Sequence, residues 1–249
     1  MKVLIITGNE LRHQFFVKSL AKDIDVIAAI YEKKANIHEK KDFPEPDNNI
    51  IKQHFAGRGE NEKKYFAEQS ILDISIPNEL QVGTGGSNSP EVFEWINQLN
   101  PDIIQLFGSS IIKDHILDKY SNRVVNIHLG LSPYYRGSGT NFWPLVHKKV
   151  ECVGATIHLA VKDVDAGGVL HQVRPNGEAA DTPHDIGNKT IIAGIQAIPT
   201  ILIWYYNKEI TPVRQDLTQG IVCYRKDLTS DAVNKLYKNF EEGLINDFL

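Results

Sequence analysis

The sequence, 249 residues long, predicts an α/β fold: an open, mainly parallel sheet flanked by helices, with a short carboxyl-terminal extension. Two observations carry that expectation. Val3 to Ile6 is an unbroken run of apolar residues, which suits a strand buried on both faces of a parallel sheet, where a half-exposed antiparallel strand would alternate. After it, Leu11, Phe15, Leu20 and Ala21 recur near helical spacing and Ile24 to Ile30 is again largely apolar, completing a strand, helix, strand unit. Composition agrees. Hydrophobic residues make up 42% and charged residues 23%, values that disfavour disorder, collagen-like repetition and a coiled coil. Lys and Arg number 27 against 31 Asp and Glu, a net charge of -4. That balance gives no global electrostatic reason to bind nucleic acid or an anionic membrane, so an anionic substrate has to be held locally.

The remaining elements follow in order. From Tyr31 to Ser70 the chain turns polar, with Lys33-Lys34, Glu39-Lys40-Lys41 and the break Pro44 to Asn49 ahead of a charged, helix-like stretch containing Phe55, Tyr65 and Phe66. A solvated surface excursion is expected there. Ile71 to Ile76 reads as a short strand. Gly83 to Asn88 reads as a plain turn, because Asn88 stands where a dinucleotide fingerprint needs its third glycine and the Lys-Ser or Lys-Thr of a P-loop is missing. Ser89 is the expected N-cap of the next helix, with Pro90 at its first position. Asp102 to Phe107 and Arg123 to Ile127 read as buried strands on either side of a helix-like stretch from Ile111 to Tyr120. Gly154 to Val161 and Gly168 to Val173 are two further strands, joined by a tight connection that contains Asp165. Asp181 to Asp185 opens a long helix reaching Ile203, with a bend expected at Pro199. The chain therefore divides into a main domain over 1–204 and an extension over 205–249.

Two cysteines, Cys152 and Cys223, are too few for a disulfide framework and lack zinc-site spacing, so a reducing compartment is expected. The amino-terminal apolar run is too short for a secretory signal. No stretch reaches about 18 consecutive apolar residues, the nearest, Ala197 to Tyr206, being interrupted by Pro199. A cytoplasmic protein with no membrane partner is the expectation.

Chemistry in open parallel sheets gathers beyond the carboxyl ends of the strands. Gly108-Ser109-Ser110-Ile111-Ile112 and Asn126-Ile127-His128, with the loop that follows, lie at two such ends. Asn126 can donate a hydrogen bond to a developing oxyanion, His128 can move a proton near neutral pH, and Asp165 can orient the imidazole. Asn126 and His128 are two residues apart, so a continuing strand directs them to one side. The alternative for residues of these types at strand ends and turns is capping of loop backbone.

Asn126-Ile127-His128, followed by Leu131-Ser132-Pro133-Tyr134-Tyr135-Arg136-Gly137, resembles the Asn-x-His and Leu-Leu-Pro-x-x-Arg-Gly signature of the formyltransferases that use 10-formyltetrahydrofolate. Gly154-Ala155-Thr156-Ile157-His158, then Asp165-Ala166-Gly167-Gly168-Val169-Leu170-His171-Gln172, is similar to that family's Gly-x-Thr-x-His and Asp-x-Gly-x-Ile-x-x-Gln pattern, in the same order. The resemblance covers roughly residues 1 to 204 and is densest from Asn126 to Gln172. It implies a Rossmann-like catalytic domain whose catalytic set is Asn126, His128 and Asp165. In that set Asn126 and His128 steady the oxyanion formed when an amine attacks the formyl carbon, while Asp165 supports His128 and proton traffic. The resemblance also implies 10-formyltetrahydrofolate as co-substrate, its pterin in a slot formed by Ser110, Ile111 and Ile112 and by Val161, Lys162, Asp163 and Val164. Ordinary core packing is the alternative for Ile111 and Ile112. His158 is expected to be scaffold, and neither His147 nor His171 has a partner at metal-ligand spacing, so no metal is expected. A homodimer is expected from family habit.

The acceptor is narrowed by comparison within the resembled family. Its glycinamide ribonucleotide enzymes carry a Gly-x-Gly-Ser-Asn phosphate loop after the first strand, where this chain has Gly8-Asn9-Glu10-Leu11-Arg12-His13. Glu10 would place negative charge where a phosphate binds. Its methionyl-tRNA enzymes carry a sizeable carboxyl-terminal barrel, and about 45 residues follow Trp204 here. The sugar N-formyltransferases remain, which implies a nucleotide-linked amino sugar, a 4-amino-4,6-dideoxy sugar, as the small-molecule partner. Arg12, Tyr134, Tyr135, Arg136 and Trp143 are the expected substrate contacts, offering stacking faces and cations. Alternatives are glycinamide ribonucleotide or another small amine as acceptor, a folate- or nucleotide-binding module without catalysis, and a metal-dependent hydrolase built on His128, His158 and Asp165.

Overall fold

The computed structural model describes residues 1–33 and 47–249. Its strands, in chain order, are β1 (Lys2–Gly8), β2 (Asp25–Glu32), β3 (Glu79–Val82), β4 (Ile103–Phe107), β5 (Val124–His128), β6 (Tyr135–Gly137), β7 (Ala155–Leu159), β8 (Val169–Val173) and β9 (Ile221–Cys223). The helices are α1 (Leu11–Leu20), α2 (Asp47–Phe66), α3 (Gln69–Leu72), α4 (Pro90–Leu99), α5 (Asp114–Lys119), α6 (Phe142–Val146), α7 (Pro183–Tyr206) and α8 (Ser230–Glu241). Seven strands form one sheet in the order β3-β2-β1-β4-β5-β7-β8. From β3 to β5 the neighbours are parallel, and β7 and β8 join antiparallel.

The continuous apolar runs are buried on both faces, as a parallel sheet under helices requires. Val3 to Ile6 are fully buried. Val3 and Ile5 pack with α1 and α7 on one face, while Leu4 and Ile6 pack with α4 and α5 on the other. Chain order thus reverses between β1 and β4, and the crevice beyond the carboxyl ends of these two strands is where an open α/β sheet receives ligands. Helix α7 carries Pro199 in its interior and is long and apolar enough, by length and composition, to cross a membrane. More than half of the apolar window is nonetheless buried, with Ile191, Ile195, Ile198 and Leu202 packed on the sheet. Each such side chain contributes about 1.5 to 3 kcal/mol of burial, so α7 is the core helix of this fold.

Two expectations are corrected. Ile71 to Ile76 is not a strand. Ile71 sits in α3 and Ile76 in the following coil, both buried in the core around α1. The strand that pairs with β2 is β3, a sheet edge whose residues alternate in exposure and so present no apolar run. The excursion after Tyr31 is not merely a solvated surface, although its part over 34–46 lies outside the described residues. Ile51, His54, Glu62 and Phe66 of α2 are buried on one helical face against the rest of the protein. Three residues near the middle of that face, His54, Arg58 and Glu62, are polar or charged.

The turn before α4 forms as read, with Ser89 Oγ accepting from the Val92 N–H at 3.3 Å and Pro90 opening the helix. The residues after α7 fold onto the main body. β9 pairs in parallel with β6, and α8 buries Val233 and Leu236, the latter in a cluster with Trp143, Leu145 and Ile186.

Candidate active site

Asn126 and His128 share one side of β5 by the two-residue period of a strand. In the antiparallel register Asn126 lies directly opposite His158 of β7. The turn between β7 and β8 then brings Asp165 back over this pair. Asp165 itself has a left-handed backbone, φ 53°, a conformation that aspartate tolerates better than most residues. Gly167 is required beside it, since a Cβ there would lie 1.8 Å from the Leu159 carbonyl oxygen.

The four side chains converge. Asp165 Oδ2 is 3.2 Å from His128 Nδ1 and accepts the Gly137 N–H at 3.1 Å, while Oδ1 is 3.6 Å from His158 Nε2. Asn126 Nδ2 is 3.1 Å from His158 Nε2. His158 Nδ1 donates to the Leu159 carbonyl at 2.8 Å, which leaves Nε2 to accept one hydrogen of the Asn126 amide. His158 thereby fixes which way the amide points. The second amide hydrogen has no acceptor among the described residues.

Both nitrogens of His128 face acceptors, the Asp165 carboxylate and, at 3.0 Å, the Tyr135 carbonyl. Only the cation satisfies both. Burial acts the other way and lowers the pKa of His128, with Asp165 and the Tyr135 carbonyl opposing and His158 adding to the lowering. Burial alone would raise the Asp165 carboxyl, but the neighbouring His158 and His128 rings and the Gly137 N–H outweigh it and hold the pKa below the ordinary value. With both ring nitrogens occupied, His128 serves Asp165, and Asn126 is the side chain left with an N–H to offer.

The cluster lies in a cleft of about 1170 Å³ that runs past the ends of β1, β4 and β5. One arm is an apolar slot. Ser110, Ile111, Ile112, Val161, Lys162 and Val164 all line it, and Ile111, Val161 and Val164 remain 70%, 46% and 49% exposed there. Asp163 does not line the cleft; its side chain is exposed and its carbonyl accepts the Ala166 N–H within the turn. Lys162 spans the two walls by pairing with Asp114 at 3.0 Å.

Two residues hold this slot together: Glu32, which sequence reasoning passed over, and Asn88, which it read as part of a plain turn. The buried Glu32 carboxylate accepts from the Gly85 N–H, Ser87 Oγ and both Ser110 N–H and Oγ, clamping the loops after β3 and β4. Asn88 donates to the Ile111 carbonyl at 3.0 Å and accepts the Lys113 N–H at 2.8 Å.

The other arm is polar and is lined by Arg12, His54, Arg58, Phe142, His184 and Arg225 among others. Arg12 is there as expected, buried and paired with Glu62 at 2.6 Å and with Glu10. Tyr134, Tyr135, Arg136 and Trp143 do not line the cleft, a correction to the expected substrate contacts. Tyr135 and Arg136 lie in β6, which pairs with β9. Tyr135 is buried with its hydroxyl 3.0 Å from His147 Nδ1, Tyr134 lines a separate groove with Cys152 and Ile221, and Arg136 reaches the Leu217 carbonyl. Trp143 lies on the buried side of α6. Among the described residues no group of three or more His, Cys, Asp or Glu side chains is placed to hold a metal ion.

The methionyl-tRNA formyltransferase of Finegoldia magna is 28% identical over 170 residues, 64% of this chain and 52% of that protein. The GDP-perosamine N-formyltransferase of Brucella melitensis is 27% identical over 125 residues, 50% of this chain and 48% of that protein. The chain thus spans about half the length of the curated relatives it matches. Among solved structures, a glycinamide ribonucleotide transformylase from Symbiobacterium toebii shares the fold at TM-score 0.58 and 18% identity, covering 86% of this chain and 93% of that one. The formyltransferase PseJ from Anoxybacillus kamchatkensis, solved with UDP-4,6-dideoxy-4-formamido-L-AltNAc and tetrahydrofolate, does so at TM-score 0.53 and 17% identity, covering 95% and 97%. The pattern of the formyl transferase family matches residues 1–202, and the chain belongs to that family.

Proposed function

We propose that the protein transfers a formyl group from 10-formyltetrahydrofolate to the amine of a nucleotide-linked amino sugar, with a 4-amino-4,6-dideoxy sugar as the acceptor class. The observation that carries the reading is the convergence of Asn126, His128 and Asp165 beside an exposed apolar slot. Apolar side chains left open in a cleft fit a flat aromatic ligand such as a pterin. Ile111, Val161 and Val164 would flank it, against the walls that Glu32 and Asn88 hold in place.

When bound, the folate supplies the formyl carbon as electrophile. Asn126 donates its free N–H to the formyl oxygen as negative charge builds there, an interaction strongest in the transition state. As the bond from the amine nitrogen to the formyl carbon forms and the bond from carbon to the folate nitrogen breaks, one proton passes from the amine to the departing nitrogen. Asp165, ionised and held by His128 and the Gly137 N–H, is placed to accept that proton and return it.

The acceptor is inferred from the polar arm, which carries cations suited to a nucleotide, and from the relatives and solved structures whose names specify sugar nucleotides. Glu10, paired with Arg12 at the end of β1, opposes a phosphate at that loop. The test is tetrahydrofolate release with dTDP-, UDP- and GDP-linked amino sugars against glycinamide ribonucleotide and methionyl-tRNA. Turnover with a sugar nucleotide alone supports the reading; turnover with glycinamide ribonucleotide or methionyl-tRNA alone transfers the mechanism to that acceptor, and none with any amine removes catalysis.

A further inference from the structure

His54 and Arg58 from α2 and His184 from the start of α7 come together in the polar arm, and Arg225, from the turn after β9, lines the same cleft. None of these elements belongs to the catalytic strands. His54 and His184 stand 4.8 Å apart ring to ring, and both are within 3.0 Å of the Tyr237 hydroxyl. His54 also meets the Phe142 ring at 5.6 Å, so the group adjoins the loop that follows His128.

The local charge is unbalanced. A single oxygen of Glu62 serves both Arg12 Nη1 and Arg58 Nε, at 2.6 and 3.1 Å. Glu10 answers Arg12, and Asp185 takes Lys64. The two terminal nitrogens of Arg58, and the whole of Arg225, have no carboxylate partner among the described residues. Burial, then His184 and Arg58, push the pKa of His54 down to about 4, and burial and Arg58 lower His184 against the opposing pull of Asp185 and Glu62. An arginine end directed into a cleft without a partner matches the geometry of phosphate oxygens.

We propose that this arm is the diphosphate subsite of the acceptor, with Arg58 and Arg225 contacting the phosphate oxygens and the His54–Tyr237–His184 group fixing the floor beneath them. The proposal rests on the formyl-transfer reading for its place in a reaction, but binding can be measured without turnover. A diphosphate seated here would leave the attached sugar extending past Phe142 toward Asn126 and Asp165, in the same cleft.

The experiment is equilibrium binding of UDP, dTDP and GDP, each lacking the sugar, to the full chain and to its Arg58→Gln, Arg225→Gln and Asn126→Ala variants. At least one nucleotide should bind the parent protein, more weakly as salt rises. Arg58→Gln and Arg225→Gln should each weaken it about tenfold or more, the loss of one hydrogen bond to a charged group. Asn126→Ala should bind as the parent does. Arg225 is exposed and without a carboxylate partner among the described residues, so its variant is expected to fold even where Arg58→Gln disturbs α2. Absence of binding by all three nucleotides, or equal affinity in Arg225→Gln and the parent, overturns the subsite. Nucleotide binding that Arg225 controls, without formyl transfer to any amine, keeps the subsite and removes the catalytic reading. Formyl transfer to a sugar nucleotide with KM unchanged in Arg225→Gln does the reverse.

Discussion

Replacing Asn126 by alanine removes an amide N–H that has no acceptor among the described residues. In the folded protein the Asn126 amide makes one bond, 3.1 Å to His158 Nε2, and its other hydrogen is available to a ligand. Removing a preorganised oxyanion donor costs on the order of 100- to 1000-fold in kcat, about 2.7 to 4 kcal/mol of transition-state stabilisation. The same change leaves His158 Nε2 without its donor, which costs the fold about 1 to 3 kcal/mol. For a chain of this size each kcal/mol lowers the melting temperature by about 2 to 4 °C. Asn126→Ala should therefore stay folded, melt a few degrees lower and lose most turnover, with KM for both substrates little changed. Asn126→Asp removes the donor and adds a carboxylate beside Asp165, so its rate should fall at least as far. The assay is tetrahydrofolate release under saturating substrates, with circular dichroism for the fold. A kcat within about threefold of the parent would refute the oxyanion role and with it the mechanism.

Other outcomes follow from the same geometry. Glu32→Gln keeps one acceptor oxygen but turns an amide against the Ser87, Ser110 and Gly85 donors; KM for the formyl donor should rise about tenfold or more with kcat nearly unchanged, as steady-state kinetics would show. Asp185 accepts hydrogen bonds from Thr182, Asn61 and Tyr65 and pairs with Lys64, joining α2 to α7; Asp185→Asn should cost about 2 to 4 kcal/mol in urea unfolding. These partners outweigh the effect of burial and hold the Asp185 carboxyl below its ordinary value. A depressed carboxyl stabilises the folded state above the unfolded-state pKa, about 3.9, and that contribution is lost as pH falls further. Melting temperatures should therefore drop more steeply below about pH 4 in the parent than in Asp185→Asn. Gly167→Ala drives a Cβ into the Leu159 carbonyl; activity should be lost together with several degrees of melting temperature, since the turn that aims Asp165 cannot close.

The strands were legible where burial on both faces left a continuous apolar run, as at Val3 to Ile6, and illegible at β3, an edge with alternating exposure. Helix α2 was misread for a related reason. Its inward residues recur at helical spacing, but His54, Arg58 and Glu62 are polar, and periodicity arguments follow apolar residues. That Asn126, His128 and Asp165 come together was legible from the spacing of the first two and from the motifs around all three. Glu32 was not, because its four bonds go to loops 53 to 78 residues away. The aromatic cluster from Tyr134 to Trp143 was placed at the site because it follows His128 in the chain. Tyr135 and Arg136 instead lie in β6, whose partner β9 is more than 80 residues downstream, and Trp143 packs on the buried side of α6.

The most direct measurement follows an isotope-labelled formyl carbon from 10-formyltetrahydrofolate in the parent protein and in Asp165→Asn, with a nucleotide-linked amino sugar as acceptor. The parent should deliver the label to the sugar amine as a formamide, and Asp165→Asn, folded but without its carboxylate, should be slower by at least about 100-fold. Label that never leaves the folate in the parent, or transfer at equal rates in the two proteins, would contradict the claim that these converging side chains carry the reaction.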